Sequence, residues 1–208
     1  MDSRSIERYY PLALWYQQLR ETTNEAFFPL FADEHRYLVL MGGGGSGKSI
    51  FAGRKVLERV TSESGHRYLV VRKVAKTLRE SCFRQLVSQA YQYYRGALAE
   101  EHPINRSDMR MRFSNGSEIL FAGLDDVEKL KSIYGVTGIW IEEASELLES
   151  DFNQLDIRLR GESPYYKQII LSFNPVSITH WLKRRFFDKS DPRARTHRST
   201  YLDNRFLP

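Results

Sequence analysis

Short apolar runs alternate with amphipathic stretches along most of this chain. Tyr37 to Met41, His66 to Arg72, Gly138 to Ile141 and Gln168 to Phe173 are brief and rich in aliphatic residues, which predicts buried strands. Between them, apolar positions recur at helical spacing. Lys48 to about Thr61 is one helix. Leu78, Cys82, Phe83, Leu86, Val87, Ala90 and Tyr94 mark one face of a longer one. Its start is placed at Thr77-Leu78-Arg79-Glu80, which reads as a capping box. Asp151 to Arg160 and Ile178 to Phe187 are two more helices, with Gly161 at the C′ position of the first and Ser177 as N-cap of the second. Met109 to Phe113 and Ser117 to Phe121 flank Asn115-Gly116, a hairpin signal in which both turn residues take positive φ. Strands alternating with helices predict an α/β fold: a mostly parallel sheet flanked by helices, with the β-hairpin inserted at one edge. Residues 1–35 read as a helical arm, with Pro11 in a first turn and Leu12, Trp15, Tyr16 and Leu19 on one face. The domain proper is then 36–208. No closing element precedes Pro208, so a cut between domains is expected there.

Composition narrows the class. The chain has 208 residues, 41% of them hydrophobic, with 12 Tyr and 12 Phe. That is apolar mass for one large α/β domain or two small ones. No apolar run approaches the roughly 20 residues of a membrane helix, and Met1 to Arg4 leads into no signal-peptide core. Cys82, the one cysteine, makes neither an internal disulfide nor a cysteine-rich zinc site. Lys and Arg total 31 against 26 acids, a net charge of +5, which fits a polyanion partner and a mildly basic enzyme equally. Basic residues gather at Lys183-Arg184-Arg185 and between Arg193 and Arg198.

Gly42-Gly43-Gly44-Gly45-Ser46-Gly47-Lys48-Ser49 fits the phosphate-loop pattern and has the strand-before, helix-after context the pattern requires. Glycines let backbone N–H groups converge on an anion, and the following helix start adds partial positive charge. Lys48 is expected on the β- and γ-phosphates, and the Ser49 hydroxyl on Mg²⁺.

The strand Gly138 to Ile141 ends in Glu142-Glu143. An acid at such a strand end holds magnesium, and the next one polarises the attacking water. Glu142 is therefore assigned to the metal and Glu143 to general-base catalysis. The neighbouring pair favours hydrolysis over phosphoryl transfer to a small acceptor. No Asn-Lys-x-Asp segment reads guanine, so ATP is the expected nucleotide.

Five stretches now carry a family resemblance: Tyr37 to Ser49; Val70-Val71-Arg72-Lys73; Gly123-Leu124-Asp125-Asp126 through Lys131-Ser132; Thr137 to Ala144; and Ser172-Phe173-Asn174-Pro175. In this order they resemble the ATPase domain of the large terminase subunit, the DNA-packaging motor of tailed bacteriophages. The likeness runs from about Phe27 to Pro208 and includes Tyr201 to Leu207, similar to the family's passage toward a nuclease domain, which would follow residue 208. It implies a RecA-like P-loop NTPase of the ASCE type, with ATP and Mg²⁺ as ligands. Ser172, Phe173 and Asn174 become the coupling motif, with Asn174 sensing the γ-phosphate. Many relatives carry arginine where this chain has Gly44, so another cation must serve. Arg79, Lys129, Lys131, Arg158 and Arg160 are candidates, and the resemblance favours Lys131, offered to a neighbouring subunit. For the adenine, the resemblance implies residues ahead of the first strand, and Gln17, Gln18, Arg36 and Tyr37 are the candidates by position, Tyr37 opening that strand. The implied partners are double-stranded DNA gripped non-specifically through its phosphates, a small terminase subunit, the capsid portal and further copies in a ring, with no membrane. An isolated domain would be monomeric and slow. The implied location is the host bacterial cytoplasm, at the procapsid portal. A helicase-type motor, a nucleotide-binding regulatory module and a small-molecule kinase are the competing readings.

Overall fold

The computed structural model describes residues 21–189 and 191–207. Most of the helical arm, including Gln17 and Gln18, lies outside these residues. A 3₁₀ turn, Glu25–Phe27, and α1, Phe28–Phe31, lead into β1, Tyr37–Gly42. Next come α2, Lys48–Ser62, and β2, Arg67–Arg72. Helix α3 is kinked and has three consecutive parts: Ala75–Leu78, a π turn at Arg79–Phe83, and Arg84–Tyr93. Strands β3 (Ile104–Asn105), β4 (Arg110–Arg112) and β5 (Glu118–Gly123) follow, then α4, Val127–Ser132. The chain continues through β6 (Gly138–Glu142), α5 (Glu149–Arg158) and β7 (Gln168–Phe173). It then runs through α6, Trp181–Lys183 extended by a π turn at Arg184–Asp188, and β8, Ala194–Ser199.

The strands form one sheet in the order β3-β4-β5-β2-β6-β7-β1-β8. β4 is antiparallel to β5 and to β3, and the remaining pairings are parallel. Side chains alternate between the two faces of a strand, so each parallel strand feeds two cores. Leu38, Leu40, Val70, Trp140 and Ile170 pack with Phe51, Val56 and Leu57 of α2 and Leu86 of α3. Tyr37, Val39, Leu69, Ile139, Ile141 and Leu171 pack with Phe152 and Leu155 of α5 and Trp181 and Phe186 of α6. Each such aliphatic or phenyl side chain contributes about 1.5–3 kcal/mol on burial. Phe27 and Leu30 are buried in the first of these cores, so the segment just before residue 36 belongs to the same body.

Several local expectations are corrected. The hairpin loop has three residues: Gly116 N donates to the Phe113 carbonyl, and Phe113 N to that of Ser117. Of Asn115 and Gly116, only the glycine takes positive φ, at 82°, the arrangement of a type I turn closed by a left-handed glycine. Thr77 does not start α3, because its hydroxyl donates back to the Val74 carbonyl. The helix opens at Ala75, whose N–H is accepted by Asp125 Oδ1 at 2.9 Å. Gly161 is not a left-handed cap: its N–H donates to Val136, and a Cβ there would overlap the Gly135 carbonyl. His180, not Ser177, caps α6, with Nδ1 accepting from Leu182 N at 3.2 Å. The basic stretch Arg193 to Arg198 largely forms β8, an edge strand that the apolar pattern did not reveal.

Candidate nucleotide site

β7 lies between β1 and β6, and register brings Leu40, Ser172 and Glu142 side by side. The loops leaving β1, β6 and β7 therefore share the carboxyl edge of a parallel sheet, where α/β folds bind ligands.

The loop after β1 turns through left-handed glycines, Gly45 at φ 76° and Gly47 at φ 85°. At Gly42 a Cβ would lie 2.6 Å from the Ser199 carbonyl of β8, so the turn needs glycine for a close backbone approach. Gly43 and Gly44 face open space. The first N–H groups of α2, from Lys48 on, have no partner within their own helix and point into this turn. Ser46 Oγ is buried with no hydrogen-bond partner. The site thus offers donors and a helix start to an anion, the cradle a phosphate chain requires. Lys48 is 6% exposed, and its Nζ donates to Asn174 Oδ1 at 2.9 Å and to the Gly43 carbonyl at 3.3 Å. Burial pulls its pKa down, and the charges of Glu143 and Glu142 oppose that.

Glu142 ends β6 and is 7% exposed. Its Oε2 accepts from Ser81 Oγ at 3.0 Å and lies 3.8 Å from Arg72 Nε. Glu143 follows at φ 52°, ψ 48°, a left-handed conformation that costs a non-glycine residue about 1 kcal/mol or more. Burial raises its pKa, Lys48 lowers it, and Glu142 raises it again. A hydroxyl from Ser49 and a carboxylate from Glu142 are hard oxygen donors, the set that suits magnesium alongside phosphate and water oxygens.

The structure does not gather every expected residue here. Ser172 is fully buried, and its Oγ accepts the Trp140 indole N–H at 2.9 Å. Phe173 is buried in the α5–α6 core. Both follow strand alternation, so only Asn174, beyond the end of β7, reaches Lys48. Arg36 and Tyr37 are likewise turned away. Arg36 Nη2 donates to Asp156 Oδ1 at 2.7 Å, and the Tyr37 hydroxyl donates to Oδ2 at 2.9 Å. They sit at the amino end of β1, with Tyr37 roughly 16 Å from Gly42 at ~3.3 Å per residue. Among the cation candidates, Arg79 donates to Arg106 O, Lys129 to Asp108 O and Arg158 to Leu130 O. Arg160 is exposed, and Lys131 is exposed on α4. Besides Lys48, Arg72 at the end of β2 stands at this corner, 3.8 Å from Glu142 and 3.7 Å from Glu146. Its position in Val70-Val71-Arg72-Lys73, directly after a parallel strand, was the available signal. Two cations of the basic helix are engaged: Lys183 pairs with Asp188, and Arg185 pairs with Glu149 of α5 and donates to Asn153, while Arg184 is exposed.

A cavity of about 280 Å³ opens beside Gly47, lined by residues including Thr23, Asn24, Arg54, Tyr93, Asn204 and Phe206. Arg54 Nη1 donates to Thr23 Oγ1 at 2.8 Å, while Asn24 Oδ1 is buried with no hydrogen-bond partner. The segment after β8 closes over this corner. Asn204 Nδ2 donates to the Gly45 carbonyl at 2.6 Å, and Arg205 pairs with Glu25 at 3.3 Å.

Comparison with known proteins decides the family. The family model described as "Phage terminase large subunit" matches residues 34–208. The chain belongs to the phage terminase large subunit family. The PBSX phage terminase large subunit of Bacillus subtilis (strain 168) is 34% identical over 202 residues, covering 86% of this chain and 45% of that protein. The terminase large subunit of Bacillus phage SPP1 is 33% identical over 187 residues, covering 85% and 43%. This terminase chain thus spans under half the length of the curated relatives it matches. Its fold is that of a large terminase from a thermophilic bacteriophage, with a TM-score of 0.76 at 17% identity over 89% of this chain and 48% of the other. A structure of that thermophilic phage protein in complex with ADP gives 0.74 at 18% identity, over 89% and 47%. The RecA-like α/β sheet expected from the sequence is therefore the fold of this terminase chain.

Proposed function

We propose that this chain binds ATP with magnesium and hydrolyses it, and that hydrolysis drives double-stranded DNA into a viral procapsid. The observation that carries the reading is the 2.9 Å contact between Lys48 and Asn174, made beside Glu142 and Glu143. The phosphate-loop cation, the acid pair and a strand-end amide from three separated segments meet at one edge. Family membership and the ADP bound by the thermophilic phage relative support the same conclusion.

In this reading the glycine loop and Lys48 grip the β- and γ-phosphates. Ser49 and Glu142 would hold magnesium, which would supply charge neutralisation for the phosphate oxygens. Glu143 orients the attacking water and takes its proton. The γ-phosphate draws Lys48 from Asn174 when it arrives and returns it when it leaves, which makes Asn174 the coupling residue of the Ser172-Phe173-Asn174 strand end. The base occupies the cavity beside Gly47, where the unsatisfied Asn24 Oδ1 suits an exocyclic amino group. Lys131, exposed on α4, serves a neighbouring subunit. The partners are double-stranded DNA, a small terminase subunit, the capsid portal and further copies in a ring, at the procapsid portal in the host cytoplasm.

Two variants test the chemistry. Lys48→Ala abolishes phosphate release. Glu143→Gln keeps ATP binding, measured by filter retention, but lowers steady-state hydrolysis by roughly 10²–10⁴-fold. Undiminished turnover in either variant contradicts the role assigned to that residue.

A further inference from the structure

One face of α3 carries polar groups where a packed helix face is ordinarily apolar. Gln85 and Gln89, four apart on the regular part of the helix, share one face, and Ser81 in the π turn ahead of them also carries a polar group toward the site. Ser81 Oγ donates to Glu142 Oε2 at 3.0 Å. Gln85 Nε2 donates to the Ser49 carbonyl at 2.8 Å, and Gln89 Nε2 to the Ile50 carbonyl at 3.3 Å. These groups therefore touch both residues assigned to magnesium, one in the first turn of α2 and the other at the end of β6.

The local geometry serves this contact. Ser81 lies in the π turn at Arg79–Phe83, with φ −100° and ψ −105°, a departure from helical geometry of the kind found at functional positions. Arg72 Nη1 donates to Ser81 Oγ at 3.2 Å, and the Ser81 hydroxyl donates to Glu142 Oε2 at 3.0 Å, nearer than the Cys82 sulfur at 3.7 Å. The contacts of Ser81 and Arg72 both fall on Oε2, so neither of them occupies Oε1. On α2, a Cβ at Gly53 would stand 2.7 Å from both Gln85 Nε2 and Gln89 Oε1. The glycine lets α3 come close enough to hold the first turn of α2.

We propose that α3 is a brace that fixes the separation of the two magnesium ligands, with Ser81 and Gln85 as positioning residues and Arg72 supporting Ser81. The proposal rests on the assignment of Ser49 and Glu142 to the metal. Groups that orient metal ligands from behind change metal affinity without touching the metal, which separates this role from simple packing.

The test uses Mn²⁺ in place of Mg²⁺, with ADP present and free Mn²⁺ followed by electron paramagnetic resonance. ADP affinity in EDTA is measured in parallel on the whole chain. Ser81→Ala weakens Mn²⁺ binding roughly tenfold, Gln85→Ala weakens it in the same direction, and both keep the metal-free ADP affinity of the wild type. Ser81→Thr, which retains the hydroxyl, restores binding. If Glu142→Ala loses Mn²⁺ while Ser81→Ala and Gln85→Ala bind it normally, the brace is wrong and the metal assignment stands. If Glu142→Ala binds Mn²⁺ normally, the assignment itself fails and the brace with it. Equal loss of Mn²⁺ and metal-free ADP binding in Ser81→Ala shows a general structural role and overturns the proposal.

Discussion

At Glu143, three influences act on one carboxyl group. Burial raises its pKa first, the Lys48 charge pulls it back, and Glu142 pushes it up again, with a net rise above the ordinary 4.5. A general base works only when ionised. Turnover should therefore fall on the acid side at a higher pH than an unperturbed glutamate would give, as the raised pKa is crossed from above. A pH profile of kcat measures this, and a rate undiminished at about pH 5 removes Glu143 as the group whose ionisation controls turnover. The meeting of Lys48 with Glu142 and Glu143 at one edge was legible in the residues themselves. The glycine loop ahead of Lys48 and the two acids closing an apolar strand are local patterns that a sequence displays directly. Arg36 and Tyr37 were misplaced because position before the first strand does not tell which end of that strand a side chain occupies. Ser172 and Phe173 were misplaced because a strand end looks polar in sequence while alternation still buries its residues.

At the scale of elements, the hairpin loop does more than reverse the chain. Asn115 Nδ2 donates to the carbonyls of Val60, Thr61 and Glu63, at 3.0, 3.3 and 3.2 Å. These belong to the last turn of α2 and its C-cap residue, where backbone acceptors lack helical partners. Asn115→Ala leaves these carbonyls without the amide and should cost about 1–2 kcal/mol, read as a shift in the urea midpoint. An unchanged midpoint shows that water replaces the amide without loss. The central strands were legible because burial on both faces leaves continuous apolar runs. β8 was hidden because an edge strand keeps charge, here Arg195 and Arg198, much of it exposed. The starts of α3 and α6 were hidden because their caps are unusual. One comes from Asp125, fifty positions away in sequence, and the other from an imidazole.

Across the whole molecule, the two ends of the sheet carry different burdens. The carboxyl edge holds the phosphate loop and the acids. The amino edge holds a buried ionic knot. Arg59 is 1% exposed and donates to Glu63 Oε2 at 2.8 Å and to the Tyr166 carbonyl at 2.7 Å, with its guanidinium 3.6 Å from the Tyr166 ring centre. His66 meets the same Glu63 carboxylate. Removing one partner from such a cluster leaves others buried and unpaired, so Arg59→Leu should cost roughly 3 kcal/mol. Metal-free ADP affinity should stay at the wild-type value, because the knot lies a strand's length from the loop. Denaturation and nucleotide titration together check this, and a matching loss of affinity would show that the two edges are not independent. The strand order behind this asymmetry was not readable along the chain, since it depends on which strands become neighbours.

Asn204 holds the Gly45 carbonyl while Phe206, two residues on, walls the adjoining cavity. The polypeptide leaving β8 is thereby fastened to the glycine loop by a side-chain amide, in addition to the pairing of β8 with β1 that ends at Gly42 and Ser199. Displacing either the loop or that polypeptide would strain the other through the amide.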